Sequence, residues 1–346
     1  MKKMLLFCMM FGACAGMVNL PTAQAKDEKV LNVYNWANYI DDKTIPEFEK
    51  KFGVKVNYDV YDGNETLLAK MQAGASGFDV IFPSDYMVAI MSKLDLLEAL
   101  DKSKIPNMAN IDERFLKQPF DPENAYSLPY TFGTAGISYR KDQVTAPVNS
   151  WNILLDAQYT GRIVMLDDMR ETIGFALKAL GYSLNSTNPD ELQKAKALLL
   201  KQKPLVKAYS SAQPELMLLS GDAWLAQNWS GETYRIAVEE PNIAYVIPKE
   251  GSSKFIDNCA IPKSAAHKEL ALQFINFLFE PAVDARIHNH IRYLTPNKAA
   301  LPLLDQTLRA ALESLSPETA AKLEYIHDLG AETQAWDKIW TEIKAE

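Results

Sequence analysis

The chain has 346 residues, of which 48% are hydrophobic, and it carries a formal net charge of −8. An acidic chain does not supply the basic surface that nucleic acids and anionic membranes require, so we expect no nucleic-acid partner. Of the three cysteines only Cys259 lies beyond residue 25, which excludes an internal disulfide and a multi-cysteine metal site in that part of the chain.

The N-terminus predicts a cleaved secretory signal peptide over residues 1–25. Two lysines precede an apolar run, and Ala-Gln-Ala at 23–25 stands just before the first acids. The apolar run is shorter than the roughly 20 residues that a membrane-spanning helix needs. Lipoprotein processing at Cys14 is an alternative, since a Gly-Ala pair precedes it. Loss of residues 1–25, which hold two lysines and no acid, would change the charge from −8 to −10.

The first part of the exported chain predicts three parallel strands separated by single helices. LNVYNWANYI predicts a buried strand that runs into an aromatic loop, and VKVNYDVYDG alternates like a second strand. FDVIFP is a short apolar run, typical of a buried parallel strand. TIPEFEKKF and the stretch from Asn64 to Met71 have helical spacing and would connect these strands.

Polar and aromatic side chains follow the first and third of these strands. Trp36 and Tyr39 come after the first strand, and Ser84 and Tyr86 come after the third. Because the carboxyl ends of parallel strands share one edge of a sheet, we expect these side chains to form one ligand wall. Two alternatives stay open: Trp36 and Tyr39 are core or rim aromatics, and Ser84 or Asp85 caps the helix predicted over 86–100.

Residues 150–256 predict a second α/β unit. GRIVMLDD predicts a strand and turn, ETIGFALKALGY an amphipathic helix, and DAWLAQNWSGE a strand and loop, while SWNILLD also predicts a helix. Strands near 133–139 and 255–260 lead into this unit and back out of it, and the C-terminal region predicts helices. Two crossings of this kind indicate two lobes joined by a hinge.

Two acids follow the strand of the second unit. Asp168 and Glu171 have the D-x-x-E spacing of a helix capping box, which explains both carboxylates without a ligand. A paired-carboxylate hydrolase is a further alternative. No water-activating motif accompanies the two acids, and the sequence has no nucleotide-binding or serine-hydrolase motif, so we expect no enzyme activity. The four histidines have no metal-ligand spacing, so we expect neither metal nor cofactor.

Three further aromatics and one acid complete the candidate residues. Phe255 and Asp257 lie two apart on a predicted strand, so both side chains can face one cleft. Trp229 marks a second strand-to-loop transition, and Tyr293 precedes a turn. The alternative for Phe255 and Asp257 is a core phenylalanine and a turn aspartate.

The motifs YNWANYI, FDVIFPSDY, DKSKIPN, LDDMRE, ALGYSLNSTNP, INFLFEP and TPNKAA, taken in order, resemble the bacterial periplasmic polyamine-binding proteins, above all the spermidine/putrescine-preferring type. The resemblance covers essentially the whole chain after residue 25. It implies an α/β fold of the class II periplasmic-binding-protein type, with two lobes, a hinge of two crossing strands and a ligand cleft between the lobes. The lobes would comprise 26–133 with 257–301, and 134–256 with 302–346.

The resemblance also implies a set of ligand contacts. Carried over position by position, they are Trp36, Tyr39, Ser84, Tyr86, Asp168, Glu171, Trp229, Phe255, Asp257 and Tyr293. Three positions depart from the spermidine-type pattern: Phe255 replaces a tryptophan, Ala37 a hydroxyl residue and Ile326 a glutamine. These departures leave the preference between spermidine and putrescine open.

The residue types suit a polyamine, because carboxylates pair with its ammonium groups and aromatic faces cover its methylenes. The resemblance therefore implies a monomeric, non-enzymatic periplasmic carrier that delivers spermidine or putrescine to an inner-membrane ABC permease. The alternative is a periplasmic polyamine sensor that signals through a membrane protein.

Overall fold

The computed structural model describes residues 29–345 except 75, 76, 212 and 315. The predicted signal peptide and Cys14 lie outside the described residues. Within the described ranges, none of the helices has the length and apolar character needed to cross a membrane. Helices and strands together form a mixed α/β fold around one curled sheet with two halves.

The first half begins with three parallel strands, as predicted. β1 (Val30–Trp36) lies between β2 (Lys55–Tyr61) and β3 (Val80–Ile81). Helix α1 (Thr44–Phe52) buries Phe48, and α2 (Asn64–Gln72) buries Leu67 and Met71 against neighbouring apolar side chains. This arrangement places the carboxyl ends of β1 and β3 at the same edge, which is the edge that carries Trp36 and Ser84.

Helix α3 (Asp85–Lys93) is shorter than the helix predicted over 86–100. Asp95 adopts a left-handed backbone conformation with φ 54°, which a continuing right-handed helix cannot contain. Leu97 then forms a bridge with Pro262 and is fully buried. The apolar residues after Lys93 therefore serve a β-bridge and the core instead of a helix face.

Seven more strands complete the sheet. In chain order they are β4 (Ser127–Arg140), β5 (Ile163–Met165), β6 (Val206–Tyr209), β7 (Leu225–Trp229), β8 (Ile243–Val246), β9 (Ser253–Ala260) and β10 (Glu324–Tyr325). The main strand order is β2-β1-β3-β9-β4-β7-β5-β6. β5 is parallel to both β6 and β7, which gives the second half its own parallel core.

The long strand β4 belongs to both halves of the sheet. Residues 127–134 pair with β9, and residues 135–140 pair with β7 and β8. β4 and β9 are the two crossing strands that the sequence predicts. β10 is a third crossing segment, which the sequence analysis did not predict, and it pairs with β9 at Ser253 and Lys254.

The remaining helices cover the two halves. They are α4 (Met169–Ala179), α5 (Pro189–Gln202), α6 (Pro214–Leu219), α7 (Ser230–Ala237), α8 (Lys268–Leu278), α9 (Pro281–Ile291), α10 (Gln306–Ser314), α11 (Pro317–Ala320) and α12 (Thr333–Ala345). The predictions at α4, α8 and α12 are confirmed. SWNILLD instead forms a short 3-10 helix at Trp151–Leu155, and the loop predicted after β7 is the first turn of α7.

Separate hydrophobic cores lie on the two sides of the β4–β9 junction. One contains Leu31, Phe48 and Phe274, and the other contains Trp151 and Trp336. α10 packs through its own small cluster against α9, whereas α12 supplies Trp336 to the second core. The lobe boundaries given by the sequence stay a prediction.

Candidate functional site

A cleft opens at the junction of the two halves and holds about 930 Å³ of empty space, including the open solvent at its mouth. All ten residues predicted as ligand contacts line it: Trp36, Tyr39, Ser84, Tyr86, Asp168, Glu171, Trp229, Phe255, Asp257 and Tyr293. Ala37 and Ile326, two of the positions that depart from the spermidine-type pattern, line it as well. The predicted residues are thus brought together in space, and their role in binding stays a prediction.

Asp257 on β9 is held by two hydroxyl groups at the centre of the cleft. Tyr39 donates a hydrogen bond of 2.5 Å to one carboxylate oxygen, and Ser84 donates one of 2.5 Å to the other. Burial raises the pKa of Asp257 to about 6, although both hydrogen bonds favour the charged form. An ammonium group placed here would restore the charged form of a carboxylate that is already oriented.

Ser84 does not use its side chain to cap α3, which was one of the two alternatives for this residue. Its hydroxyl donates to Asp257 and accepts a hydrogen bond of 3.0 Å from the Asn64 amide. The side-chain oxygen of Asn64 in turn accepts a hydrogen bond of 3.1 Å from the Ser84 backbone N–H. Ser84 is therefore fixed by α2 so that its hydroxyl faces the acid on β9.

The second acidic group lies at the start of α4. Asp168 is the N-cap of this helix and accepts the Glu171 backbone N–H at 2.9 Å, as the capping interpretation predicts. The Ser253 hydroxyl donates one bifurcated hydrogen bond to the two Glu171 carboxylate oxygens, at 2.7 and 2.8 Å, so this carboxylate is directed to β9 and not back to the helix N-cap. Asp168 combines a capping role with a place in the cleft wall.

Burial perturbs both Asp168, the N-cap of α4, and Glu171 in its first turn. The pKa of Glu171 is raised to about 7, first by burial and then by the charge of Asp168. Burial also raises the pKa of Asp168. Because each group is more easily charged when a cation is present, this pair favours a positively charged ligand over an anion.

The aromatic walls are rigidly placed. The Trp36 indole N–H donates to the Phe82 carbonyl at 2.8 Å, so the N–H is engaged within the protein and the contact that the ring offers a ligand is apolar. The Tyr293 ring lies 5.2 Å from the Tyr39 ring and 6.0 Å from the Phe255 ring, measured between centroids, with edge-to-face geometry in both pairs. Such faces can cover methylene groups and attract ammonium groups.

Several residues that line the cleft were not predicted as contacts, and three of them are acids: Asp62, Asp85 and Glu232. Asp85 accepts the backbone N–H of Tyr86 at 2.6 Å and of Ile256 at 3.0 Å, and burial raises its pKa to about 8. Glu232 lies in the first turn of α7 and accepts a hydrogen bond of 2.6 Å from Arg235. Its sequence signal is its place one helical turn after Trp229, which puts both residues near one face.

The site is suited to a linear cation with more than one charge. Acids on β9 and on α4 approach the cleft from different elements, and aromatic faces line the space with them. Among the residues that the structure describes, no group of three or more histidine, cysteine, aspartate or glutamate side chains is arranged to hold a metal ion. The arrangement offers charge pairing and apolar cover at once.

Comparisons with known proteins agree with this chemistry. Residues 43–312 match the family described as bacterial extracellular solute-binding protein. The chain is 38% identical to the putrescine-binding periplasmic protein SpuD of Pseudomonas aeruginosa, over 99% of this chain and 98% of that protein. It is 37% identical to the spermidine/putrescine-binding periplasmic protein of Escherichia coli, over 100% and 99% of the two chains.

A solved structure gives the same result for the fold. The spermidine/putrescine ABC transporter substrate-binding protein PotD of Streptococcus pneumoniae superposes with a TM-score of 0.79. It has 33% sequence identity, and the match covers 92% of this chain and 99% of that one.

Proposed function

The chain belongs to the bacterial extracellular solute-binding proteins, and from this we propose that it captures spermidine or putrescine in the cleft and delivers it to an ABC importer. Its relatives in Pseudomonas aeruginosa and Escherichia coli are periplasmic proteins named for binding these polyamines. We further propose that the chain is exported by a cleaved signal peptide, works in the periplasm as a monomer and catalyses no reaction. No observation on the described residues favours the sensor alternative.

One observation carries the proposal: Asp257 is buried, oriented by Tyr39 and Ser84, and surrounded by aromatic rings. A buried carboxylate without a cationic partner is costly, and an ammonium group would supply that partner. Glu171 and Asp168 on α4 would pair with the next amine along the chain. The methylenes between the amines would lie against Trp36, Trp229 and Phe255.

Calorimetric titration tests this function directly. The protein is unfolded, dialysed to remove carried-over ligand, refolded and checked by circular dichroism, and then titrated with spermidine and with putrescine. Two controls separate the contributions: 1,4-butanediol has the methylenes of putrescine without the charges, and Mg²⁺ has the charge without the methylenes. We expect tight binding of at least one polyamine and no binding of either control.

Folded protein that gives no heat with either polyamine would contradict the proposal. Comparable binding of Mg²⁺ would indicate a nonspecific acidic surface instead of a polyamine site.

A further inference from the structure

Gly231 lies directly against the ring of Tyr293. A Cβ atom added at Gly231 would stand closer than 3.0 Å to three atoms of that ring, a separation that real Cβ atoms essentially never show. The backbone of Gly231 is helical, so glycine is not needed there for its conformation. Glycine is needed here because the ring of Tyr293 packs directly on its backbone.

The two residues come from different halves of the molecule. Tyr293 follows α9 and belongs to the core that contains Leu31 and Phe274. Gly231 lies in the first turn of α7, which continues directly from β7 in the second half of the sheet. Their contact therefore joins the two sides of the cleft.

Tyr293 has little freedom to retreat from an added side chain. The next residue, Leu294, exchanges two backbone hydrogen bonds with Phe132 on β4, of 2.9 and 3.2 Å. On its other sides the Tyr293 ring packs edge-to-face with Tyr39 and Phe255. Relief of the overlap must come from movement of α7 away from Tyr293.

We propose that Gly231 is a positioning residue for closure of the cleft: its bare backbone is the surface on which Tyr293 rests when the two halves meet. The inference rests on the proposed function, because the closed cleft is taken to be the form that holds a polyamine. Gly231 itself need not touch the ligand. The contact between Gly231 and Tyr293 lies beside the β4–β9 junction. A small separation of these two residues therefore produces a larger separation at the end of the cleft that is farther from the junction.

A displaced Tyr293 would disturb the acid at the centre of the cleft. The Tyr293 ring packs against Tyr39, and Tyr39 holds Asp257 through its hydroxyl. The effect of a side chain at position 231 should therefore appear in both the degree of closure and the affinity. If alanine reduced the closed fraction to about one in a hundred, the apparent Kd would rise about a hundredfold.

The test compares Gly231→Ala with Gly174→Ala. Gly174 is also helical, in α4, and an added Cβ there would meet nothing closer than 3.4 Å, so this control should fold and bind as the wild type does. Closure is measured by the distance between spin labels at Val60→Cys and Val238→Cys. These positions are 53% and 56% exposed and lie in different halves, whereas Cys259 is buried and stays unlabelled.

With saturating spermidine, we expect Gly231→Ala to keep a longer label-to-label distance than the wild type and to bind at least tenfold more weakly. In a Tyr293→Ala background, where the ring is gone, the same glycine substitution should have little further effect. Wild-type affinity and distance for Gly231→Ala would overturn the inference, and so would an equal penalty in both backgrounds.

Failure of the proposed function gives a different result. In that case the wild type binds neither polyamine, and the inference is decided by the distances without ligand. A longer distance for Gly231→Ala than for the wild type would then support it, and equal distances would overturn it.

Discussion

Trp36 and Trp229 hold equivalent positions in the two halves of the sheet. Each is the last residue of a strand, and each donates its backbone N–H to the side-chain oxygen of the preceding asparagine, at 2.7 Å from Trp36 to Asn35 and 2.9 Å from Trp229 to Asn228. Both asparagines are fully buried. The same local arrangement therefore fixes an aromatic wall on each side of the cleft before any ligand arrives, which lowers the entropic cost of binding.

Asp257→Ala should nearly abolish polyamine binding. Its carboxylate is buried and accepts hydrogen bonds from Tyr39 and Ser84, so its removal leaves an ammonium group without a partner, at a cost of about 3–5 kcal/mol. Asp257→Asn keeps the shape and removes the charge, and it should lose most of the same affinity. Titration calorimetry on both variants, with thermal unfolding as the folding control, checks this. Affinity within a few-fold of wild type would show that Asp257 does not pair with the ligand.

Polyamine binding should release protons near pH 6. The pKa of Asp257 is raised to about 6 and that of Glu171 to about 7, mainly by burial, and a bound cation favours the charged forms. Affinity should therefore increase from about pH 5 to about pH 8. Titrations at pH 6 in buffers with different ionisation enthalpies measure the protons released. Glu171→Gln is the control, because it keeps Asp257 and should release fewer protons on binding than the wild type does.

The same two groups should make the ligand-free protein less stable as pH rises. Their folded pKa values lie above the ordinary values of 3.8 and 4.5, so the folded state keeps protons that the unfolded chain has already lost. Their contribution is fully present below about pH 4 and is lost as pH rises to about 7. Urea unfolding of wild type and of the double variant Asp257→Asn with Glu171→Gln across this range should differ in that slope. Parallel curves would contradict the assignment.

Glu232→Gln should weaken binding less than Asp257→Ala. Glu232 lines the cleft, but Arg235 already donates a hydrogen bond of 2.6 Å to it, so part of its charge is compensated. Loss of a charge-assisted contact with an amine should cost about 1.5–3 kcal/mol. Glu239→Gln removes the same charge from an exposed position just after α7 and serves as the matched control. Equal effects of the two variants would indicate a general electrostatic contribution only.

Ile326→Gln should change the preference between the two polyamines. Ile326 is buried and lines the cleft where the spermidine-type pattern has glutamine. A side-chain amide there can accept a hydrogen bond from a distant amine, so the ratio of spermidine to putrescine affinity should rise. Ile326→Leu keeps the apolar character and should leave the ratio unchanged. A ratio that moves equally in both variants would indicate altered packing without a new amine contact.

The sequence predicted the cleft well because its residues follow strand ends. Trp36, Ser84 and Trp229 each come at or just after the end of a strand, and Phe255 and Asp257 share a strand face, so local patterns made these residues candidates. The resemblance to the polyamine-binding proteins then selected them as one set of contacts. Asp168 needed two interpretations, and the structure gives it both a capping contact and a place in the cleft. The D-x-x-E spacing predicted the capping contact of Asp168, but it could not show that the same carboxylate also faces the cleft.

The features that the sequence did not reveal depend on contacts between distant segments. Helix α3 ends early because Leu97 pairs with Pro262, far along the chain. Gly231 lies in a stretch that the sequence predicted as a loop, and its packing role emerges only when Tyr293 is placed on it. β10 is two residues long and has no period of its own, so its pairing with β9 could not be seen in advance.

The three crossing segments also limit how the molecule can move. Lys254 on β9 pairs with Thr134 of β4 on one side and with Tyr325 of β10 on the other. Because the hydrogen bonds between three strands resist shear within the plane of the ribbon, we expect the two halves to move mainly by bending this ribbon. A ligand that closes the cleft then stops only this bending motion. The rotational entropy that the protein loses on binding is correspondingly small.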